Sequence, residues 1–252
     1  MAEQIWNGII YDDDDFEIKE SEGKEYLHYK GTAVDLRHFE IPKGMTSIHM
    51  MFAGTDIEYG PAFIPDGVTD VSYLYLDCKH LIEGSRVPNT VTNQDGEYDG
   101  CENLTDAKNI SQNAVSINGY AANCASLESI DTIPDSVKEA ESALEGCENI
   151  TEVHGGKNVE KADGIYAGMT NLEVPSPEMN PDASMNDAFV GCSKMEEHFA
   201  EVDAEVQQEE MMNKVRANVL NKPVESKIDK VAAAEAALGD IPVADSNEIS
   251  LG

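Results

Sequence analysis

The stretch NCASLESIDTIPDSV, Asn123 to Val137, decides the fold, because its parts return along the chain at a fixed step. Cys78, Cys101, Cys124 and Cys147 lie 23 residues apart; Met169 follows after 22 and Cys192 after 23 more, and Thr55 stands one step before Cys78. Around this slot run the phrases DCKHL, GCENL, NCASL, GCENI, GMTNL and GCSKM. Three residues before it come Phe52, Tyr75, Tyr98, Ala121, Leu144, Tyr166 and Phe189. Three residues after it come Leu81, Leu104, Leu127, Ile150, Leu172 and Met195. The phrases IPKGM, IPDGV, VPNTV, ISQNA and IPDSV align Ile41, Ile64, Val87, Ile110 and Ile133 in one column, and Met45, Val68, Val91, Ala114 and Val137 in another. One such coil cannot bury its apolar side alone, so equivalent coils must stack and turn these columns into interior ladders.

The repeat predicts seven coils of about 23 residues. Segments such as LESIDTI and ITEV read as short parallel strands, with the Pro and Gly, Asn or Ser of the IPDSV phrase marking the turn that follows. The pattern A-F-x-G-C-x-x-L-x-x-I-x-I-P-x-x-V, seen in DAFVGCSKM and CASLESIDTIPDSVKEA, resembles the BspA-like class of bacterial leucine-rich repeats over about residues 41 to 198. The resemblance implies an α/β leucine-rich-repeat solenoid, used for adhesion and protein recognition and not for catalysis. The last two coils depart from the pattern, where HGGKNV and PSPEMNP replace the Ile-Pro phrase.

Both flanks fall outside the period. In residues 1 to 40, FEIKESEGKEYLHYKG reads as a hairpin around a Glu-Gly turn, placed as an N-terminal cap on the first apolar face. The run Asp12 to Asp15 lacks the spaced ligands and Gly of a calcium loop and reads as a solvated acidic turn. Residues 199 to 252 read as helical. Phe199, Val202 and Val206, then Met212, Val215 and Val219, recur at three- and four-residue steps up to Pro223, and a second stripe of Val224, Ile228, Val231 and Leu238 stops at Gly239. That second stripe suits either a C-terminal cap or a docking and oligomerisation seam.

The formal net charge is −32, from 49 acidic and 17 basic residues. Nucleic-acid phosphates and anionic membranes need the opposite sign, so the expected partners are neutral or basic protein surfaces. No apolar run approaches the roughly 18 residues of a membrane span, and the first 20 residues lack a basic then apolar export signal. All five cysteines share one column where Met169 and Thr55 also fit, so the slot asks for a medium-sized buried group and the thiols are expected reduced. There is no C-x-x-C pair for zinc, no nucleophile phrase near the six histidines and no phosphate-binding glycine pattern. Neither a cofactor nor a metal is expected, and the sequons at Asn103, Asn109 and Asn149 are expected to carry no glycan.

An acid follows the Leu column at its first or second position in coil after coil: Glu58, Glu83, Asp106, Glu128, Glu152, Glu173 and Glu196. Like charges stacked about 5 Å apart repel, so the row is either tolerated through hydration or relieved by a cationic partner. The sequence therefore reads as a non-enzymatic binding protein of a larger assembly. A structural or adhesive part of a phage virion is the leading expectation, and a bacterial cell-surface adhesin is the alternative.

Overall fold

The structure, a computed structural model, describes residues 3–195. It opens with two antiparallel hairpins that form separate two-stranded sheets. β1 (Glu3–Trp6) pairs with β2 (Ile9–Asp12), and β3 (Phe16–Ser21) pairs with β4 (Lys24–Tyr29). The second hairpin is the one expected from FEIKESEGKEYLHYKG, and it turns at Glu22 and Gly23, both at positive φ (51° and 78°). The first was not expected. Its signal was the Asn7-Gly8 pair, at φ 50° and 83°, the dipeptide that two-residue hairpin turns favour.

β4 does more than close a hairpin. Tyr29 N donates to Met51 O at 2.7 Å, in the same 22-residue step by which Phe52 N donates to Leu74 O and Tyr98 N to Tyr120 O. The aromatic column thus begins one step earlier than its repeat phrase: Tyr29 packs edge-on against Phe52 at 5.7 Å, Phe52 stacks on Tyr75 at 5.5 Å, and Tyr75 on Tyr98 at 5.4 Å.

From there the chain winds in leucine-rich-repeat coils held by parallel contacts. One file of bridges joins Asp35, Tyr59, Glu83 and Asp106. A second joins Ser47, Asp70, Asn93, Ser116, Glu139, Lys161 and Ser184, and so continues through the coil carrying HGGKNV. Each contact is a single bridge and not a run of ladder bonds, so the expected parallel strands shrink to points. The cause is local. Around Leu104 the burial runs buried, exposed, exposed, buried, through Thr105 and Asp106 to Ala107, which is not the alternation a strand needs. The α part of the expected α/β class is not seen either: among the described residues only 193–195 have helical backbone, and the expected helices of 199–252 lie outside them.

The corners between bridges are set by two left-handed residues per coil. One file contains Met50, Tyr73, Gly96, Gly119, Ser142, Gly164 and Asp187; the other contains Gly54, Asp77, Gly100, Asn123, Gly146, Gly168 and Gly191, immediately before the Cys slot. The Gly of GCENL is therefore a conformational requirement, met by Gly, Asn or Asp, the residues that tolerate positive φ best.

Inside, the Leu, aromatic and Cys columns merge into one continuous core. Each cysteine is 0–1% exposed and its thiol donates across the coil boundary: Cys78 to Phe52 O, Cys101 to Tyr75 O, Cys124 to Tyr98 O, Cys147 to Ala121 O and Cys192 to Tyr166 O, all at 3.0–3.1 Å. Thr55 occupies the slot at the start of the column and turns its hydroxyl onto its own coil, donating to Phe52 O at 2.7 Å. Burial pushes the thiols of Cys78, Cys101, Cys124 and Cys147 up, Cys78 to about 11 and Cys147 to about 12, so almost none of their thiolate exists near neutrality. Thiol reagents should therefore leave the native chain untouched and modify all five cysteines after denaturation; rapid native labelling would contradict the packing. Cys124→Ser should cost only about 1 kcal/mol, because its hydroxyl inherits the Tyr98 carbonyl as acceptor. A loss above about 3 kcal/mol in urea denaturation would mean the hydroxyl is stranded.

Candidate interaction surface

The Leu-column residue is buried and the two residues after it face outward, so acids at the first and second positions form two adjacent files and not one row. Glu58, Glu128 and Glu173 stand in the first file, all exposed. Glu83, Asp106 and Glu152 stand in the second, where Asp35, Tyr59, Glu83 and Asp106 are linked by consecutive bridges. Glu83 is half-buried, whereas Asp106 and Glu152 are exposed. Glu196, and the docking stripe of Val224, Ile228, Val231 and Leu238, lie outside the described residues.

Much of the like-charge repulsion is relieved within the chain. Lys108 Nζ reaches Glu83 Oε1 at 2.6 Å and Asp106 Oδ2 at 2.7 Å, clamping two neighbouring coils. Burial raises the Asp106 carboxyl, but hydrogen bonds from the Lys108 side chain and backbone outweigh that and hold it below its ordinary value. One end of the file carries a second cation. Arg37 grips Asp35 through Nε at 2.9 Å and lies over the Tyr59 ring at 4.3 Å. Further along, Lys194 pairs with Glu173, and His154 sits 3.8 Å from both Glu152 and Glu178. Glu58 and Glu128 make no ion pair among the described residues. The surface is thus a mixed-charge strip through Asp35, Arg37, Tyr59, Glu83, Lys108 and Asp106, with acids standing beside it.

The bridge file on the other side of the coils was missed from sequence, and there the acids are structural. Asp95 Oδ1 accepts the Asn118 backbone N–H at 2.8 Å, and Asp163 Oδ1 accepts that of Asn186 at 2.9 Å. Asn118 Oδ1 accepts from Glu141 N at 2.8 Å, and Asp70 Oδ2 from Ser47 Oγ at 2.8 Å. These side chains precede or flank the left-handed corner and staple each coil to the next. The signal lay in the dipeptides Asp95-Gly96, Asn118-Gly119 and Asp163-Gly164, which announce turns. Asp12, Asp13 and Asp14 bring carboxylates together near the turn after β2, where Asp14 N donates to Asp12 Oδ1 at 3.0 Å. The acidic run expected to form a turn does so, and Asp12 supplies a side-chain acceptor to it.

Columns of buried Leu, aromatic and Cys residues joined by point-like parallel bridges define a leucine-rich-repeat protein. The family model of the BspA type leucine rich repeat region matches six copies, over residues 25–151 and 93–208, and the chain belongs to that family. Among solved structures it resembles a leucine-rich repeat protein from Bacteroides ovatus at 20% identity and a TM-score of 0.50, over 62% of this chain and 40% of that one. It also resembles the leucine rich repeat protein of T. pallidum, at 18% identity and a TM-score of 0.47, over 81% of this chain and 95% of that one. A leucine rich cell surface protein from Faecalibacterium prausnitzii matches at 20% identity and a TM-score of 0.41, over 69% and 39%. The chain spans about two-fifths of the Bacteroides ovatus protein. No curated protein matches its sequence.

Proposed function

We propose that the chain is a non-enzymatic protein-recognition solenoid of seven coils, with residues 1–40 as an N-terminal cap, residues 41–198 as the binding body and residues 199–252 as a docking or oligomerisation segment. The observation that carries the binding role is the strip from Asp35 to Asp106. Equivalent outward positions are fixed by consecutive bridges, so they are presented on a rigid file with ionic groups of both signs at its surface. Such a strip suits a protein partner that meets it with basic groups opposite the acids and few rearrangements. The BspA-type family suggests a surface-adhesin role, and we favour it over the virion reading, which draws no support from the family or from the structural relatives. Among the described residues no helix is long and apolar enough to cross a membrane.

The test is adhesion of the purified full chain, displayed on inert beads, to cell surfaces and to immobilised basic proteins. Saturable attachment that weakens from 0.1 to 1 M salt is expected, because the Debye length falls from about 10 to about 3 Å. Replacing Asp106, Glu128 and Glu152 with Asn or Gln should slow association severalfold at low salt. Stability should change by no more than about 1 kcal/mol, since all three are exposed and Lys108 keeps Glu83 as partner. Unchanged association with intact folding would reduce the acids to a hydrated face, and absence of saturable attachment to any protein would remove the recognition role altogether.

A further inference from the structure

One coil breaks the column chemistry in its interior. Gln94 occupies the column of Ile48, Val71, Ile117 and Ala140, and Glu97 the column of Met51, Leu74, Tyr120 and Ala143. Both are 0% exposed. Nearby, Ser111 stands where Pro42, Pro65, Pro88 and Pro134 stand in other coils. Proline has no N–H, whereas Ser111 brings one into the core that must find an acceptor. The three departures are one device. Ser111 N donates to Gln94 Oε1 at 2.7 Å, Gln94 Nε2 donates to Glu97 Oε2 at 2.7 Å, and Ser111 Oγ donates to Val91 O at 2.7 Å.

The relay ends on an orphan. Glu97 Oε1 has no hydrogen-bond partner. The titratable groups facing it are the buried hydroxyls of Tyr75, Tyr98 and Tyr120, and among the described residues no Lys or Arg acts on it. Tyr98, whose hydroxyl borders the carboxyl, donates to Ser85 O at 3.5 Å. An ionised Glu97 would be a buried charge with one bare oxygen and no counter-charge, among the least favourable arrangements a core can hold. A neutral carboxylic acid removes that penalty.

We propose that Glu97 is a proton-dependent latch: protonated, it lets the coils on either side of residues 94–111 pack as closely as the rest, and ionised, it opens the solenoid there. Burial pushes the carboxyl up to about 8, against the hydrogen bond from Gln94 and the nearby Tyr98 hydroxyl, which pull it down. An unfolded glutamate titrates near 4.3. The folded value is the higher one, so the folded chain binds the extra proton. Its contribution is fully present below the unfolded value, declines as pH rises toward about 8, and is flat above it.

The test is urea denaturation of the full chain from pH 5 to 9 for the natural protein, Glu97→Gln and Glu97→Leu, the last copying Leu74 one coil earlier. Each pH unit well inside the window should raise the natural protein's unfolding constant about tenfold relative to the variants, easing near the folded value, so about fiftyfold from pH 6 to 8. Difference infrared spectra against Glu97→Gln near pH 6.5 should contain the carbonyl band of a protonated carboxylic acid, lost by pH 9. Should Glu97→Leu fail to fold, Glu97→Gln and the infrared band still decide. Parallel pH profiles for the natural protein and Glu97→Gln, or no such band, would overturn the latch.

Discussion

A chain lacking residues 1–30 should fail to reach a stable fold, whereas one lacking only residues 1–13 should fold with reduced stability. The difference follows from what each hairpin buries. β3 and β4 bring Phe16, Leu27 and Tyr29, which are 1–3% exposed and belong to the continuous core. Burying each side chain contributes about 1.5–3 kcal/mol, so together their removal forfeits about 5–9 kcal/mol. Domains of this size hold only about 5–15 kcal/mol in all. The loss also strips Phe52 of one of its edge-on partners and Met51 O of its donor, leaving an open apolar end of the solenoid. The first hairpin contributes only Trp6, Ile9 and Tyr11, all partly buried, while Ile5 and Ile10 are 74% and 56% exposed. Circular dichroism and gel filtration would separate the outcomes: aggregation of the shorter chain, against a cooperative transition at lower urea for the longer. A monomeric 31–252 chain with a near-normal midpoint would show that the hairpin is not a cap.

The sequence made the columns legible because burial acts on every coil alike, so the Leu, Cys and aromatic columns keep an apolar or medium-sized side chain from coil to coil. It also made β3 and β4 legible, since two six-residue runs flank a Glu-Gly turn. What it hid depends on neighbours one coil away. The acids from Glu58 to Glu173 look like one row by offset alone, but one residue more or less past the Leu column moves a carboxylate into a different file. Lys108 is an unremarkable lysine until the register places its amine between Glu83 and Asp106. Four-residue β1 and β2 are too short to show alternation, and only Asn7-Gly8 betrayed them. Glu97 stands as a charge in an otherwise apolar column, but nothing in one dimension says that Ser111 N–H needs Gln94. The large negative charge is likewise two populations: acids such as Asp95 and Asp163 staple the corners, and those such as Glu58 and Glu128 stand outward.

Gly84→Ala should destabilise the chain by about 2–3 kcal/mol although it adds one methyl group, and the cost should vanish when Tyr98 is also Ala. A Cβ at Gly84 would lie 2.5 Å from Tyr98 Cε1 and 2.7 Å from Cζ, with the hydroxyl nearer still. The ring cannot retreat. It is fully buried, and it stacks on Tyr75 at 5.4 Å with 5° between planes. Overpacking of this kind costs about 1–3 kcal/mol, and a rigid neighbour puts it toward the upper end. Gly84 does not need positive φ, so the clash alone is measured. Tyr98→Ala by itself removes a large core side chain, a loss of about 3–5 kcal/mol by analogy with other aromatic truncations. In that background the three closest contacts are gone, and Gly84→Ala should be neutral or gain a few tenths by restricting the unfolded chain. The chain already contains the doubly small pair: one coil on, Ala107 stands where Gly84 does and Ala121 where Tyr98 does, while Gly60 sits against Tyr75 as Gly84 sits against Tyr98. The double-mutant cycle should give a coupling of about 2–3 kcal/mol, well beyond the few tenths expected of independent sites. Equal costs of Gly84→Ala in both backgrounds would mean that Gly84 answers to the backbone of its own coil and not to the tyrosine column.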